Sequence, residues 1–437
     1  MSPITIGILG ILIMLVIFLT RMSVAYVMAL VGFVGFGILI SFEGALNLLS
    51  RSIYSSFSSY ELTTIPLFIL MGQIAFNSGI SKRLYSTAYR FLGNIRGGLA
   101  MATVSSCTAF GAVCGSSPAT ASIMTTVGMP EMKRYSYTDD LAAGSVASGG
   151  GLGMIMPPSV VLIIYGIMTE QSIGALFVAG IIPAILLTIL FVVCIYITCL
   201  RSPEKGPAGE KFGWGAKLKS LTGLVDTMIV FLISIGGLYK GIFSPTESAA
   251  VGAAGVLIIA VIRKQLNWNS LVKALYETLS TTCMVMFLIA GAVVFSRFLA
   301  VTRIPFEIAT WVSGLALPPF MIMAVIVLIY FLGGCFMDSL GLIMLTIPIF
   351  FPVVTNLGYD PIWFGIIIVL VAEMGVITPP VGINVYVVYG VSKSIIGDIH
   401  LETIFKGIFP FLIAVVVGIA ILIAFPQLVL FLPNSMY

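Results

Sequence analysis

The stretch GAVCGSSPATASIMTTVGMPEM, which starts at Gly111, and the stretch GGGLGMIMPPSVVLIIYG, which starts at Gly149, decide the fold. Both recur later, as GGCFMDSLGLIMLTIPIFFPVV from Gly333 and AEMGVITPPVGINVYVVYG from Ala372. Five pairs match at one constant spacing of 222 positions: Ser117 with Ser339, Pro130 with Pro352, Gly153 with Gly375, Pro157 with Pro379, and Pro158 with Pro380. In a membrane protein, such paired interruptions predict a substrate site formed by broken helices from two repeats.

The composition places the chain in a membrane. Hydrophobic residues make up 59% of it and charged residues 9%, and the mean hydropathy is +1.15. In water so much apolar surface would aggregate, whereas lipid-facing helices require it. The apolar runs persist to the C-terminus, which excludes a lone anchor or signal peptide. Runs long enough to span a bilayer lie at 4–20, 23–41, 62–78, 177–199, 222–239, 246–262, 278–296 and 406–431, with the first two hinged at Thr20-Arg21.

Four further apolar segments are interrupted. Residues 97–130 and 318–356 each contain two short apolar halves, so each is predicted to form a re-entrant helical hairpin, with tips at Gly115–Pro118 and Gly333–Ser339. Non-helical backbone at that depth requires surrounding protein or a water-filled cavity. Residues 141–168 and 362–390 are predicted to be broken spans, the first interrupted over 149–158, because proline lacks a backbone donor.

Basic residues define the predicted orientation. If each hairpin enters and leaves on one side and each broken helix crosses once, seventeen Lys and Arg residues lie on the cytoplasmic side. Four lie outside: Arg51, Lys240, Arg297 and Arg303. This bias follows the positive-inside rule. It predicts that both termini are periplasmic, that the repeats are inverted, and that the cytoplasmic loops are 81–96, 131–140, 201–219, 263–276 and 391–405.

The usual signatures of catalysis are missing from the sequence. His400 is the only histidine, which disfavours a histidine-rich metal site or a Ser–His hydrolase. The six cysteines lie in apolar runs without a CxxC pair and are expected to pack as small residues. There is no GxxxxGK[ST] motif for a nucleotide-driven pump. The sequence therefore favours a transporter over an enzyme, and it does not indicate a nucleic-acid partner.

The hairpin tips are the predicted binding region. Where a helix breaks, free N–H groups attract carboxylates and free carbonyls attract a small hard cation. Ser116, Ser117 and Thr120 in one tip, and Asp338 and Ser339 in the other, add oxygen atoms. Oxygen-only ligation suits Na⁺ and offers transition metals no soft ligand. The alternative is that the small residues only allow helices to pack closely.

Two acids lie deep in the second repeat. Asp338 is expected either to ligate the cation or to cap a helix. Glu373 is expected to be either a proton-linked group or a structural hydrogen-bond acceptor, and the sequence leaves this choice open. Ionisable groups inside a membrane are costly, which makes both of them functional candidates.

Three motifs resemble a known family. They are GSSPATASIMTTVGMPEMKRYSY from Gly115, PPSVVLIIYGIMTEQSIGALFVAGIIP from Pro157, and GIFSPTESAAVGA from Gly241. The chain resembles the large membrane subunit of TRAP transporters, of the DctM/SiaM type, over nearly its whole length. The resemblance implies an all-α, inverted-repeat, elevator-type secondary transporter driven by a Na⁺ gradient in the bacterial inner membrane. It also implies a small four-helix membrane subunit, expected as a separate chain because no such segment precedes Met1, and a periplasmic substrate-binding protein.

An elevator implies two bodies, a scaffold and a moving transport domain. The expected division is 1–80 scaffold, 81–176 first transport repeat, 177–296 scaffold with the cytoplasmic linker 201–219, 297–404 second transport repeat, and 405–437 C-terminal helix. The expected substrate is an organic acid of the C4-dicarboxylate or sialic acid class. Alternatives are a stand-alone Na⁺- or H⁺-coupled anion transporter without a binding protein, and a channel.

The candidate residues follow from the tips and from the resemblance. The expected substrate residues are Ser116, Ser117, Pro118, Gly334, Asp338 and Ser339. The expected Na⁺ residues are Gly115, Ser117, Thr120, Gly149, Gly153, Met156, Gly334, Asp338, Met374, Gly375 and Thr378.

Overall fold

The computed structural model describes residues 2–18, 22–314, 317–397 and 399–436. The predicted hinge at Thr20-Arg21 lies outside these residues. The described part of the chain is built from α-helices joined by short turns, and it contains no β-strand. The helices are α1 (Pro3–Phe18), α2 (Val24–Leu39), α3 (Phe42–Ser58), α4 (Thr64–Asn77), α5 (Ile80–Leu92), α6 (Gly98–Cys114), α7 (Ser117–Arg134), α8 (Asp139–Ile155), α9 (Val160–Thr169), α10 (Ile173–Arg201), α11 (Trp214–Ser220), α12 (Thr222–Tyr239), α13 (Pro245–Ile262), α14 (Trp268–Thr302), α15 (Ile304–Ser313), α16 (Pro319–Gly334), α17 (Ser339–Asn356), α18 (Pro361–Ile377), α19 (Ile383–Ile395), α20 (Leu401–Ala424) and α21 (Gln427–Leu430).

Many of these helices are long and apolar enough to cross a bilayer. Seven spans in the described residues meet that test, with α8 and α9 counted as one span of 31 residues. An eighth is added if α3 and α4, which meet at an angle of 58°, are taken together. Long apolar side chains such as Ile13, Leu232 and Ile413 are exposed on the outer helices, as lipid contact requires.

Both predicted hairpins fold back on themselves. In the first, Thr103 of α6 lies 4.0 Å from the Met132 sulfur of α7, so the chain reverses at Gly115–Ser116. In the second, the rings of Tyr330 in α16 and Phe350 in α17 lie 5.9 Å apart. Each of the two segments is therefore a pair of helices that pack against each other, and the re-entrant placement predicted from the sequence remains a prediction.

The breaks in the two Pro-Pro helices are shorter than the sequence predicted. The first covers only Met156–Ser159, and Gly149 lies well inside α8. The second covers Thr378–Gly382, so Met374 and Gly375 belong to the last turn of α18. Both Pro-Pro bonds are cis. The glycines of α8 stay helical because the whole segment from Leu141 to Ile155 is buried against neighbouring helices.

Four of the five predicted cytoplasmic loops, 81–96, 131–140, 201–219 and 263–276, lie on one face and are connected by hydrogen bonds and ion pairs. The Gly206 carbonyl of the linker accepts from Gly97 at 2.8 Å, and the Gly93 carbonyl accepts from Gly209 at 2.7 Å. Further bonds join Lys205 to Asp140, Tyr135 to Glu210, and both Arg83 and Arg263 to the buried Asp226. Hairpin 1 thus begins and ends at this linker face.

The two repeats run in opposite directions. The helix α8 begins at the linker face, where Asp140 pairs with Lys205 at 2.7 Å. The helix α18 begins at the other face, where the Pro361 carbonyl accepts from Tyr165, in the helix α9 that completes the first crossing. At this same face, opposite the linker, Thr64 bonds Thr246 and Tyr239 bonds Ser435.

Several predicted boundaries need correction. Residues 81–96 were expected to form a loop, but they contain the amphipathic helix α5, which buries Ile80, Leu84 and Tyr85 on one side. The helix α14 extends from Trp268 to Thr302, through most of an expected loop. The expected divisions after residues 176, 296 and 404 fall inside α10, α14 and α20, which are continuous helices.

The helices pack into two groups. In one, α2 packs against α14, and α4 packs against both α13 and α14. In the other, α8 lies at the centre of α6, α7, α18 and α20. The glycines of α8 and α20 bring those helices very close, because a Cβ atom on Gly144 would lie 2.4 Å from the Gly407 backbone.

Candidate functional site

The tip of hairpin 1 ends in an uncapped helix. The chain turns at Gly115, whose φ of +62° lies in the left-handed region that favours glycine. Ser116 then occupies the N-cap position of α7, but its side chain makes no capping hydrogen bond. Pro118 in the first turn has no N–H group. The first-turn N–H groups of α7 therefore have no side-chain acceptor, and they carry the positive end of the helix dipole.

The tip of hairpin 2 is built differently. Asp338 stands at the position equivalent to Ser116 under the repeat spacing. Its carboxylate accepts hydrogen bonds from the N–H groups of Leu340 at 3.0 Å and Gly341 at 3.3 Å. The capping role that the sequence offered for Asp338 is confirmed. The two tips thus differ in charge: the N-terminus of α7 has no capping side chain, whereas the N-terminus of α17 is capped by a carboxylate.

Each tip rests on the Pro-Pro break of its own repeat. A Cβ atom on Gly115 would lie 2.2 Å from the Pro158 carbonyl oxygen. In the second repeat, the Cys335 carbonyl accepts from the N–H of Val381 at 3.2 Å. The same close packing joins Gly111 to Gly153 and Gly334 to Gly375. The packing role of these glycines is therefore real, and it holds tip and break together.

A cavity of about 360 Å³ lies where the two tips meet α4 and α14. The residues from Cys114 to Ala119, with Met154 and Val160, line one side, and Asp338 and Leu340 join them. Gln73 of α4 and Thr281 of α14 are the polar residues opposite. No Lys, Arg or His is among the described residues that line it.

A buried polar cluster connects the two repeats behind this cavity. Ser117 donates to Glu373 Oε1 at 2.5 Å, and Asn384 Nδ2 donates to Ser117 Oγ at 2.7 Å. The same amide nitrogen reaches Glu373 Oε1 and the Ala147 carbonyl, each at 3.2 Å. Ser117, Glu373 and Asn384 are all buried. The acceptor role that the sequence allowed for Glu373 is therefore observed.

The predicted residues fall into three groups. Gly115, Ser116, Ser117, Pro118 and Asp338 line the cavity. Thr120, Gly334 and Ser339 are buried and are not among the residues that line it, and the Ser339 hydroxyl lacks a partner among the described residues. Met156 and Thr378 occupy the C-caps of α8 and α18, where Thr378 donates to the Met374 carbonyl at 2.6 Å, and Gly149, Gly153 and Gly375 serve close helix packing.

Sequence reasoning missed Asn384. This residue follows the second Pro-Pro break by four positions, and it is an amide within an apolar run. Its burial at the centre of the cluster makes it the link between Ser117 and Ala147 of the first repeat and Glu373 of the second. A polar residue in an apolar helix was the available signal.

Similar proteins identify the family to which this chain belongs. Residues 11–428 match the family described as "Tripartite ATP-independent periplasmic transporter, DctM component". The chain belongs to this family. It is 36% identical over 387 residues to the C4-dicarboxylate TRAP transporter large permease protein DctM of Pseudomonas aeruginosa, covering 88% of this chain and 89% of that protein.

Other TRAP large permeases are similar over comparable lengths. The sialic acid protein SiaM of Vibrio cholerae is 32% identical, covering 89% of this chain and 90% of its own. The ectoine protein TeaC of Halomonas elongata is 31% identical, covering 93% of each chain. This DctM-family chain is thus a multi-pass membrane component of a TRAP transporter and not an enzyme.

The fold is shared with more distant transporters. The YdaH transporter of Alcanivorax borkumensis superimposes with a TM-score of 0.63 at 13% identity, covering 91% of this chain and 90% of that one. The MtrF protein of Neisseria gonorrhoeae gives 0.55 at 15% identity, covering 100% and 95%. At such identities the likeness concerns the fold alone.

Proposed function

We propose that this TRAP large permease imports an organic acid across the bacterial inner membrane, driven by inward flow of Na⁺. It works with a separate four-helix membrane subunit and receives its solute from a periplasmic binding protein. Relatives are named for C4-dicarboxylates, sialic acid, ectoine and isethionate; the first three kinds of solute carry a carboxylate and isethionate carries a sulfonate. An anionic acid group, a carboxylate in the proposed substrate, is therefore what the membrane site is expected to bind.

The uncapped start of α7 supports this proposal more than any other observation. Its free N–H groups border the cavity, and no basic side chain lines that cavity among the described residues. A carboxylate placed there accepts from the backbone and interacts favourably with the helix dipole. The equivalent end of α17 is already occupied by Asp338, so the substrate carboxylate binds at hairpin 1.

The hydroxyl of Ser117 suits a cation better than an anion. Its hydrogen is directed to Glu373, and one of its lone pairs accepts from Asn384. Only the second lone pair remains, so the oxygen acts as an acceptor. With the Asp338 carboxylate nearby on the cavity wall, this supports Na⁺ at the tips, since hard cations prefer oxygen ligands.

The proposed motion is an elevator. The cavity is lined by both groups of helices, with α4 and α14 on one side and the tips on the other. Contact there is close, because a Cβ atom on Gly72 of α4 would lie 2.9 Å from the Cys114 carbonyl oxygen. Re-entrant hairpins that move with the broken helices would carry substrate and Na⁺ past this scaffold surface.

Uptake in proteoliposomes tests the proposal. The large subunit, its small partner and the binding protein are reconstituted, and solute uptake is measured with an inward Na⁺ gradient or with K⁺ in its place. Asp338→Asn keeps a capping side chain but removes the charge, so the Na⁺ concentration for half-maximal uptake is expected to rise about tenfold, or about 1.4 kcal/mol. Ser117→Ala is expected to lower Na⁺ affinity similarly.

Matched control variants distinguish a loss of Na⁺ binding from a loss of helix capping. Asp360 caps α18 through two N–H groups, as Asp338 caps α17, so Asp360→Asn is expected to leave Na⁺ dependence unchanged. Ser122→Ala, on the same helix α7, is the control for Ser117→Ala. Uptake that does not depend on Na⁺ refutes the proposed coupling. Uptake of free solute without the binding protein indicates a stand-alone transporter. A single-channel current would identify a channel.

A further inference from the structure

A groove at the surface of the helix bundle carries two arginines without an acidic partner. It has a volume of about 650 Å³ and lies between α2, α3 and α14. Arg51 of α3 and Arg297 of α14 line it, and both are exposed. Neither forms an ion pair with another described residue, and no Asp or Glu is among the described residues that line the groove. The groove therefore offers two positive charges that these residues do not neutralise.

Each arginine occupies the middle of the helical face that borders the groove. On α3, Leu48 stands three positions before Arg51 and Ser55 stands four positions after it, and all three line the groove. On α14, lining valines stand four positions before and four positions after Arg297. Residues at these spacings share one side of a helix. Because α3 packs against α14, the two faces border one space.

The groove lies at one edge of the apolar zone of the protein. The apolar run predicted within α14 covers residues 278–296, so Arg297 is the first residue beyond it. The other end of α14 begins at Trp268, near Arg263 of the linker face. The helix α3 is amphipathic and exposes Phe42 and Leu46, as a helix in the membrane interface does. The groove is therefore at the level of lipid headgroups, on the side opposite the linker.

The walls beside the arginines are mostly apolar. Phe36 of α2, Leu48 of α3 and Val293 of α14 are half-buried there. A free inorganic anion gains nothing from such walls, whereas the hydrocarbon chains of an amphiphile do. Ordinary snorkelling of isolated arginines explains the arrangement less well, because only four basic residues are assigned to this side and two of them line one groove.

We propose that this groove binds an anionic phospholipid. Its phosphate pairs with Arg51 and Arg297, because the planar guanidinium group matches phosphate oxygens. Its acyl chains lie along the apolar walls. The bound lipid neutralises both arginines and holds the amphipathic helix α3 against α14. This proposal depends neither on Na⁺ coupling nor on the identity of the solute.

Binding of phosphatidylglycerol to the intact membrane complex tests the proposal. The large and small subunits are purified together, delipidated in neutral detergent and titrated with the lipid, and bound lipids are counted by native mass spectrometry. Wild type is expected to retain one phosphatidylglycerol at concentrations where phosphatidylcholine with the same acyl chains, which has no net charge, does not bind. Arg51→Gln and Arg297→Gln are each expected to weaken this binding about fivefold. Lys240→Gln, an exposed residue assigned to the same side but outside the groove, is expected to leave it unchanged.

Four results would overturn the proposal. Equal binding of phosphatidylcholine shows that the charges are not used, and unaltered affinity in both arginine variants shows the same. Displacement of the lipid by excess inorganic phosphate identifies a site for a soluble anion instead. Loss of the small subunit from an arginine variant that keeps its lipid affinity identifies a protein interface instead. If one variant does not fold, the other decides, because the two arginines lie on different helices.

Discussion

At the scale of single residues, the two repeats use equivalent positions for different tasks. Ser116 leaves its helix uncapped, whereas Asp338 caps its own. Gly151 provides space, whereas Glu373 fills it. The tip positions could be predicted because serine, glycine and proline interrupt apolar runs. Asn384 could have been singled out as an amide in an apolar helix, but its contact with Ser117, 267 positions away, could not be predicted because no local pattern connects the two residues.

Replacing Asn384 tests how far the cluster stabilises the protein. Asn384→Leu keeps a similar volume but removes the donor that three buried oxygens share. Leaving buried polar groups unsatisfied is expected to lower the free energy of unfolding by about 1–3 kcal/mol. Thermal unfolding of the purified protein measures this. Asn47→Leu, on the exposed surface of α3, is the control and is expected to change it by less than about 0.5 kcal/mol.

At the scale of helices, the lengths of the apolar runs predicted most spans correctly, but the break in the glycine-rich span of α8 was predicted to begin too early. The predicted break in the first Pro-Pro span covered 149–158, whereas the observed break begins only at Met156. In the structure these glycines remain helical and pack closely, because Cβ atoms added to them would lie 2.7–3.0 Å from side-chain atoms of Cys107, Ala121 and Glu373. The charges on α5 suggested a loop, but its apolar residues lie on one helical face. Tertiary packing decides the first case and is not visible in the sequence, whereas the amphipathic pattern of α5 is visible there and was overlooked.

The glycine contacts between hairpin and broken helix give a stability prediction. A Cβ atom on Gly375 would lie 2.5 Å from the Gly334 backbone, so Gly375→Ala forces two helices apart. We expect the free energy of unfolding to fall by about 1–3 kcal/mol. Gly390→Ala in α19 meets no atom within 4 Å and is expected to keep or slightly raise stability. Equal melting temperatures for the two variants would contradict the proposed packing.

At the scale of the whole molecule, charge alone predicted which loops share a face. The hydrogen bonds and ion pairs of the linker bear out that grouping. The same charges assign the linker face to the cytoplasm, and this orientation remains a prediction. The expected division into scaffold and transport bodies remains a prediction, and three of its boundaries fall inside the continuous helices α10, α14 and α20.

Labelling of single cysteines tests the orientation. Lys219 lies at the linker face and Lys240 near the opposite one, and both are exposed. In intact cells with a permeabilised outer membrane, a membrane-impermeant thiol reagent is expected to modify Lys240→Cys and to spare Lys219→Cys. Both sites should react once the inner membrane is opened. The reverse pattern would place the linker in the periplasm and invert the proposed topology.

The short segment between α5 and α6 has one further consequence. On one side, Arg83 anchors α5 to Asp226 of α12. On the other, Gly97 starts hairpin 1 with a φ of +73°. If hairpin 1 moves while α5 stays in place, the backbone of Gly93–Gly97 must rotate in each transport cycle. Its two hydrogen bonds to the linker must change with it. The distance that hairpin 1 can move is then limited by this five-residue segment.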